Sequence, residues 1–169
     1  MIAGPGDAVD TAALDVAVIG GGPAGMIAAE RLAAAGRRVV LFDAMGALGR
    51  KFLLAGRGGL NLTHSEAFDR FVTRYGEAVS WLEPMLRSFD AEALVAWCEG
   101  LDQPTFIGSS GRVFPVEFRA NALLAAWEQR LRDRGVEVRL RHRWLGWDDR
   151  GRLRFEGFDP VGATATVLA

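Results

Sequence analysis

The chain has 169 residues, half of them apolar, with 24% charged residues and a formal net charge of −1. A chain of this length can bury roughly two-thirds of its unfolded surface, so a core is available without disulfide or metal staples. The charge balance excludes compositional disorder and a strongly basic nucleic-acid binder. The single cysteine, Cys98, excludes an internal disulfide framework, and with only His64 and His142 beside it no structural zinc set is expected. No apolar run reaches the ~18–20 residues needed to span a bilayer. The first eleven residues also carry no basic region ahead of an apolar core. These features read as a cytoplasmic protein with no membrane or nucleic-acid partner.

Residues 1–12 are small and Gly/Ala/Asp-rich and read as a flexible N-terminal stretch; the domain is expected over 13–169. Leu14–Ile19 is a short apolar run that stops at three glycines, which suits a strand buried on both faces. Ala24–Ala35 is alanine-rich and closes at Gly36, as a helix with a left-handed cap does. Arg38–Asp43 is a second buried strand, so strand, helix and strand within 30 residues make a βαβ unit. From Ala44 to about Ala67 no clear period is visible, but glycines stand at 46, 49, 56, 58 and 59; such long irregular stretches are usually functional or disordered.

Helical stretches follow at about Glu77–Phe89, with Pro84 inside it, and at Ala91–Glu99, with Asp90 placed as a cap. Gly108–Pro115 reads as a turn leading into an edge strand. Arg119–Arg134 is an amphipathic helix with Leu123, Leu124, Trp127 and Leu131 on one face and Gly135 as its stop. Val136–Leu140 is a third strand. Arg143–Asp148 and Arg152–Phe158 read as a hairpin turned at 149–151, and Thr164–Ala169 as a last strand.

The chemistry-bearing segment is Gly20-Gly21-Gly22-Pro23-Ala24-Gly25, which fits G-x-G-x-x-G between a strand and a helix. In that pattern the first glycine permits the tight turn, the second lets a pyrophosphate approach the backbone, and the third lets helix and strand pack closely. The helix N-terminus then offers free N–H groups to the anion. Asp43, closing the second strand, can accept hydrogen bonds from ribose hydroxyls and would repel a 2′-phosphate, so the nucleotide at this position should not be NADP. An NAD domain normally turns from its second strand into another helix. The long glycine-rich excursion with Arg50, Lys51, Asn61 and Thr63 instead suits a larger ligand. Nineteen of the 20 basic residues are arginine, and the one lysine, Lys51, sits in this loop. Arg50 and Lys51 could neutralise pyrophosphate charge.

These residues resemble a family. Gly20–Gly25, Asp43, Gly49-Arg50-Lys51, Gly56, Gly58, Asn61 and Thr63, then Ser110–Pro115 and Gly135–Val138 through Trp144, are similar to bacterial FAD-dependent oxidoreductases of the aminoacetone-oxidase, or bile-acid-reductase-like, flavoprotein family. Within it the chain looks most like an uncharacterised flavoprotein subfamily. Gly59-Leu60-Asn61 stands where many members carry Arg-Cys-Asn, and His64 where they carry asparagine. The resemblance implies an α/β fold. Its doubly wound parallel sheet is of the FAD/NAD(P)-binding, glutathione-reductase-like type, with an inserted β-hairpin and the C-terminal part of the fold missing. It implies FAD as cofactor, held by Gly20, Gly22, Pro23, Ala24, Gly25, Asp43, Arg50, Lys51, Asn61, Thr63 and the strand backbone at Trp144. It also implies a small-molecule substrate, with NAD(P)H as candidate reductant. No side chains form an acid–base or nucleophile set, so none is nominated as catalytic. Two other readings stay open: an inactive nucleotide-binding fragment, and a flavoprotein acting on RNA.

Overall fold

Val16–Ile19 (β1) and Val39–Phe42 (β2) are the two strands expected on either side of the glycine turn, and every residue of β2 is buried. The computed structural model describes residues 14–169; the stretch expected to be flexible, 1–12, lies outside them. β1 pairs in parallel with β2 on one edge and with Ala165–Leu168 (β10) on the other, and β2 pairs in parallel with Glu137–Arg139 (β6). The resulting sheet has the order β10-β1-β2-β6. Strands covered on both faces need apolar residues at successive positions, which is why the central β1 and β2 show runs and no alternation. Between β1 and β2 lies Pro23–Ala34 (α1), with proline in its first turn. Its end is closed by Gly36 at φ +76°, the left-handed position that glycine occupies without strain.

The fold divides into two compact units. One is formed by the residues up to Phe52 together with Glu128–Ala169, the other by Leu53–Trp127.

In the first unit a second sheet, Trp144–Trp147 (β7), Leu153–Phe155 (β8) and Phe158–Val161 (β9), runs antiparallel in the order β7-β8-β9. The sequence reading expected a two-stranded hairpin here. It is corrected to a three-stranded meander, because Glu156-Gly157 makes a second tight turn, with Gly157 at φ +76°. Phe158, expected to end the second strand, therefore begins the third. The first turn forms where expected: Asp148 accepts the N–H groups of Arg150 and Arg152, and Gly151 is left-handed. The meander supplies Leu153, Phe155 and Val161 to a core shared with Ala17, Val40 and Phe42 of the parallel sheet, and the rings of Phe42 and Phe155 stack at 4.4 Å.

The helix expected over 119–134 runs over Ala120–Asp133 (α6), from the second unit into the first, and its four predicted core residues are all buried. In the first unit its C-terminal turn meets α1 through charge. Glu30 is the one charged residue buried in the described chain, 2% exposed, and its carboxylate lies 3.4 Å from Arg130 and 3.1 Å from Arg134.

In the second unit the stretch 44–67, expected to lack regular structure, contains three short elements. These are Arg50–Ala55 (α2), which begins in the first unit, a 3₁₀ turn at Gly56–Gly58, and Thr63–His64 (β3). Elements this short carry no period that a sequence window can register. Phe68–Val72 (α3), Val79–Ser88 (α4, with Pro84 inside) and Ala91–Glu99 (α5) follow. Asp90 caps α5 by accepting the Ala93 N–H at 2.8 Å, as its position predicts. Thr105–Ile107 (β4) and Arg112–Pro115 (β5) complete a small antiparallel sheet of order β3-β5-β4. The segment read as a turn into an edge strand is therefore a turn at Gly108–Gly111 leading into a central strand. After β3, Glu66 gathers Arg70, Arg74 and His64 around its carboxylate.

Two outcomes follow from the buried and clustered acids. Glu30→Ala leaves two partly covered arginines without their shared partner. It should lower the unfolding free energy by about 2–3 kcal/mol in denaturant titration, below the value for fully buried pairs because both arginines keep some water. The hydrogen bond from Arg74, followed by the Arg74, His64 and Arg70 charges, holds the Glu66 carboxyl below the usual glutamate range. A depressed carboxyl stabilises the fold above its unfolded pKa, and that contribution is lost as pH falls through the folded one. Amide protection factors over 64–74, corrected for intrinsic exchange at each pH, should therefore fall on acidification in the parent, and Glu66→Gln should flatten that dependence.

Candidate nucleotide-binding site

The three motif glycines have three separate physical reasons. Gly20 sits at the end of β1 with φ +113°, and a Cβ there would lie 2.1 Å from the backbone oxygen of Ala169. Gly25 lies in the first turn of α1, where a Cβ would come within 1.8 Å of the Gly20 carbonyl oxygen. Both must be glycine for the chain to pack against itself. Gly22 differs. It caps α1 with extended backbone, its own φ is −79°, and a Cβ built on it meets nothing within 4 Å. Nothing within the described chain asks for glycine at that position. The open space lies beside the N–H groups of Ala24 and Gly25, which precede the first intrahelical bond, from Met26 N–H to the Gly22 carbonyl at 2.9 Å. Pro23 has no N–H to lose, and the first turn of α1 carries no acid. This is a cradle of free donors at the positive end of a helix, open where an anion needs room.

Asp43 lies directly beside that turn. Its Oδ2 accepts the Gly21 N–H at 2.6 Å, and its Oδ1 accepts the Met45 N–H at 2.6 Å. The Gly21 carbonyl in turn accepts the Gly49 N–H at 2.8 Å, folding the loop 44–49 back over the glycine turn. Gly21, which the motif leaves free, is fixed as tightly as its neighbours: a Cβ would lie 2.3 Å from Leu48 Cδ2 and 2.8 Å from Asp43 Oδ2. Sequence reading missed Gly21 and Leu48 as parts of the site. The available signal was the third consecutive glycine, which the motif does not require. Each Asp43 oxygen has a second lone pair, so the carboxylate can hold the turn and still accept ribose hydroxyls.

On its outer side the end of β2 is tied to the segment after β6. Asp43 N–H donates to the Arg139 carbonyl, His142 N–H to the Asp43 carbonyl, and Arg141 N–H to the Met45 carbonyl, at 2.8–2.9 Å. Arg141 adopts φ +60°, a left-handed conformation that an arginine does not lead one to expect. Arg50 and Lys51 begin α2 exposed to solvent, and neither pairs with an acid among the described residues. The structure thus brings together Gly20, Gly22, Pro23, Ala24, Gly25 and Asp43, with Arg50 and Lys51 following on the docked loop. Asn61, exposed, and Thr63, paired across from Val113, belong to the other unit.

Trp144 stands on β7, the outer strand of the meander, whose backbone pairs only with β8. Its side chain packs on the shared core and meets Trp147 edge-on at 4.7 Å, and its Nε1 is buried without a hydrogen-bond partner. Among the described residues no cluster could hold a metal ion, and no helix is long and apolar enough to cross a membrane.

Residues 14–169 match the family model described as HI0933-like protein Rossmann domain. A thiamine thiazole synthase of Desulfosudis oleivorans is 67% identical over 30 residues, which are 18% of this chain and 12% of that protein. Among solved structures, Thermovibrio ammonificans THI4 is similar with a TM-score of 0.56 and 18% identity, over 92% of this chain and 57% of that one. The 3-ketosteroid-Δ4-(5α)-dehydrogenase of Rhodococcus jostii RHA1 gives 0.61 and 16%, over 91% and 45%. An open flavocytochrome c3 fumarate reductase gives 0.59 and 18%, over 92% and 33%. At these identities the structures share the fold, and the chain spans little more than half the length of the first of them. The parallel sheet, the glycine turn and the family match agree: the chain belongs to the HI0933-like Rossmann-domain family.

Proposed function

We propose that this chain supplies the nucleotide-holding part of an FAD-dependent oxidoreductase acting on a small molecule, with NAD(P)H as the candidate reductant. The observation that carries the reading is the vacant Cβ position of Gly22 beside the free donors of α1, with the Asp43 carboxylate next to it. Ala24 and Gly25 would donate to the diphosphate, and Asp43 would accept from the adenosine ribose. Arg50 and Lys51 would offset phosphate charge; Asn61 and Thr63 follow on the same excursion, and the open backbone edge of β7 at Trp144 would meet the adenine. FAD, when bound, supplies the redox chemistry, and the chain's task is to bind it, orient it and set its electrostatics. The Gly49-Arg50-Lys51 and Gly56–Thr63 segments support placement near the aminoacetone-oxidase-like group, and the departures at Leu60 and His64 leave the substrate open.

The direct test is the visible absorbance of the purified chain together with calorimetric titration of ADP and FAD. Flavin bands, or saturable FAD binding, support the reading. A colourless chain that binds ADP alone supports the bare nucleotide-binding fragment, and binding of neither removes both.

Gly22→Val should reduce ADP and FAD binding at least ~100-fold while leaving the thermal midpoint near the parent's. The added side chain fills space that no part of the chain uses. Asp43→Ala should weaken ADP binding by about 1.5–3 kcal/mol, the worth of a charge-assisted hydrogen bond. Because the Gly21 and Met45 N–H groups also lose their acceptor, thermal stability should fall too. Asp43→Asn, which keeps one oxygen, should recover part of the stability and less of the affinity.

A further inference from the structure

Three described non-glycine residues have left-handed backbone, and two of them are accounted for locally. Asp102 ends the turn after α5, its N–H bonded to the Glu99 carbonyl. Phe118 lays its ring against Gly59, where a Cβ would collide with it at 2.2 Å. Arg141 is the third. Its backbone is pinned by its own N–H to the Met45 carbonyl at 2.9 Å and by His142 N–H to the Asp43 carbonyl at 2.8 Å. Its side chain is exposed and has no acid partner among the described residues, and the guanidinium lies over Gly46, 3.6–3.9 Å from where a Cβ would be. A long side chain at φ +60° is strained, glycine or asparagine would sit there without that strain, and no acid among the described residues pairs with the charge. The backbone bonds fix the conformation without asking for arginine, and an unpaired guanidinium kept where glycine or asparagine would sit more easily is the pattern expected of a residue retained for a ligand.

The strand order says which part of the ligand. The diphosphate cradle is at the end of β1 and the ribose acid at the end of β2, and β6 is the next strand outward. A nucleotide laid from Gly22 across Asp43 continues over the segment that follows β6, where Arg141 is held. We infer that Arg141 is a base-recognition residue, its guanidinium covering the π face of the purine of a bound nucleotide. A planar cation meeting a desolvated aromatic face is favourable, and it needs no hydrogen-bond code. The inference rests on the nucleotide reading above and adds a residue that neither the motif nor the resemblance names.

The test is to replace the residue with those its backbone prefers. Arg141→Gly and Arg141→Asn relieve the left-handed strain and remove the guanidinium. In both, ADP should bind about three- to tenfold more weakly by calorimetry, the range of a cation–π contact. The thermal midpoint of the free protein should stay level or rise, and inorganic pyrophosphate, measured by competition, should bind as in the parent. Arg141→Lys, which keeps charge without the planar group, should recover only part of the loss. Four results would overturn the assignment. They are ADP affinity equal to the parent's, affinity and stability falling together, pyrophosphate weakened as much as ADP, and full recovery by lysine. A parent that binds no ADP overturns the nucleotide reading itself, and this inference with it.

Discussion

The site is organised by one carboxylate. Asp43 reaches back from the end of β2 to the Gly21 N–H and forward to the Met45 N–H, both at 2.6 Å, so the glycine turn and the loop after β2 are anchored to the same two oxygens. Short hydrogen bonds from backbone amides to an ionised acid are stronger than neutral ones. They also set the turn before any ligand arrives, which lowers the ordering cost that binding would otherwise carry. The docked position of Leu48, the return of Gly49 onto the Gly21 carbonyl, and the exposed start of α2 at Arg50 and Lys51 all follow from that anchor.

The parallel layer was legible because its signals are strong and local: an apolar run, a glycine turn, an alanine-rich helix closed by Gly36, and a second run ending in an acid. The bounds of β1, α1, β2 and α6 fall within a few residues of those read from composition and periodicity. The missed features are of two kinds. β3, β4 and the 3₁₀ turn at Gly56–Gly58 are two or three residues long, too short to show a period, and β3 owes its form to pairing with Arg112 and Val113, far along the chain. The third strand of the meander is hard to see in the sequence because only Glu156-Gly157 separates Phe155 from Phe158, and the turn between them depends on a single glycine, Gly157.

The candidate site shows the same division. The motif names Gly20, Gly22 and Gly25 but assigns them one kind of reason, whereas the structure separates them. Two are small because the protein itself comes close, and one is small with nothing near it. Gly21 is a free position in the motif, yet here it is wedged between Leu48 and Asp43. That constraint comes from a loop more than twenty residues later and cannot be seen in the spacing.

The close approach at Gly20 also bears on how the protein is made. The atom that would meet a Cβ there belongs to Ala169, brought in by the pairing of β10 with β1, Val16 against Ala165 through Ile19 against Leu168. The first described strand is therefore completed on one edge by a strand that leaves the ribosome after every other described element. Pairings so distant in sequence form slowly, and an unfilled strand edge in a nascent chain invites wrong partners. The glycine turn gains its Ala169 neighbour only once β10 has been made. Until then the open edge of β1 is the exposed surface that a chaperone would shield.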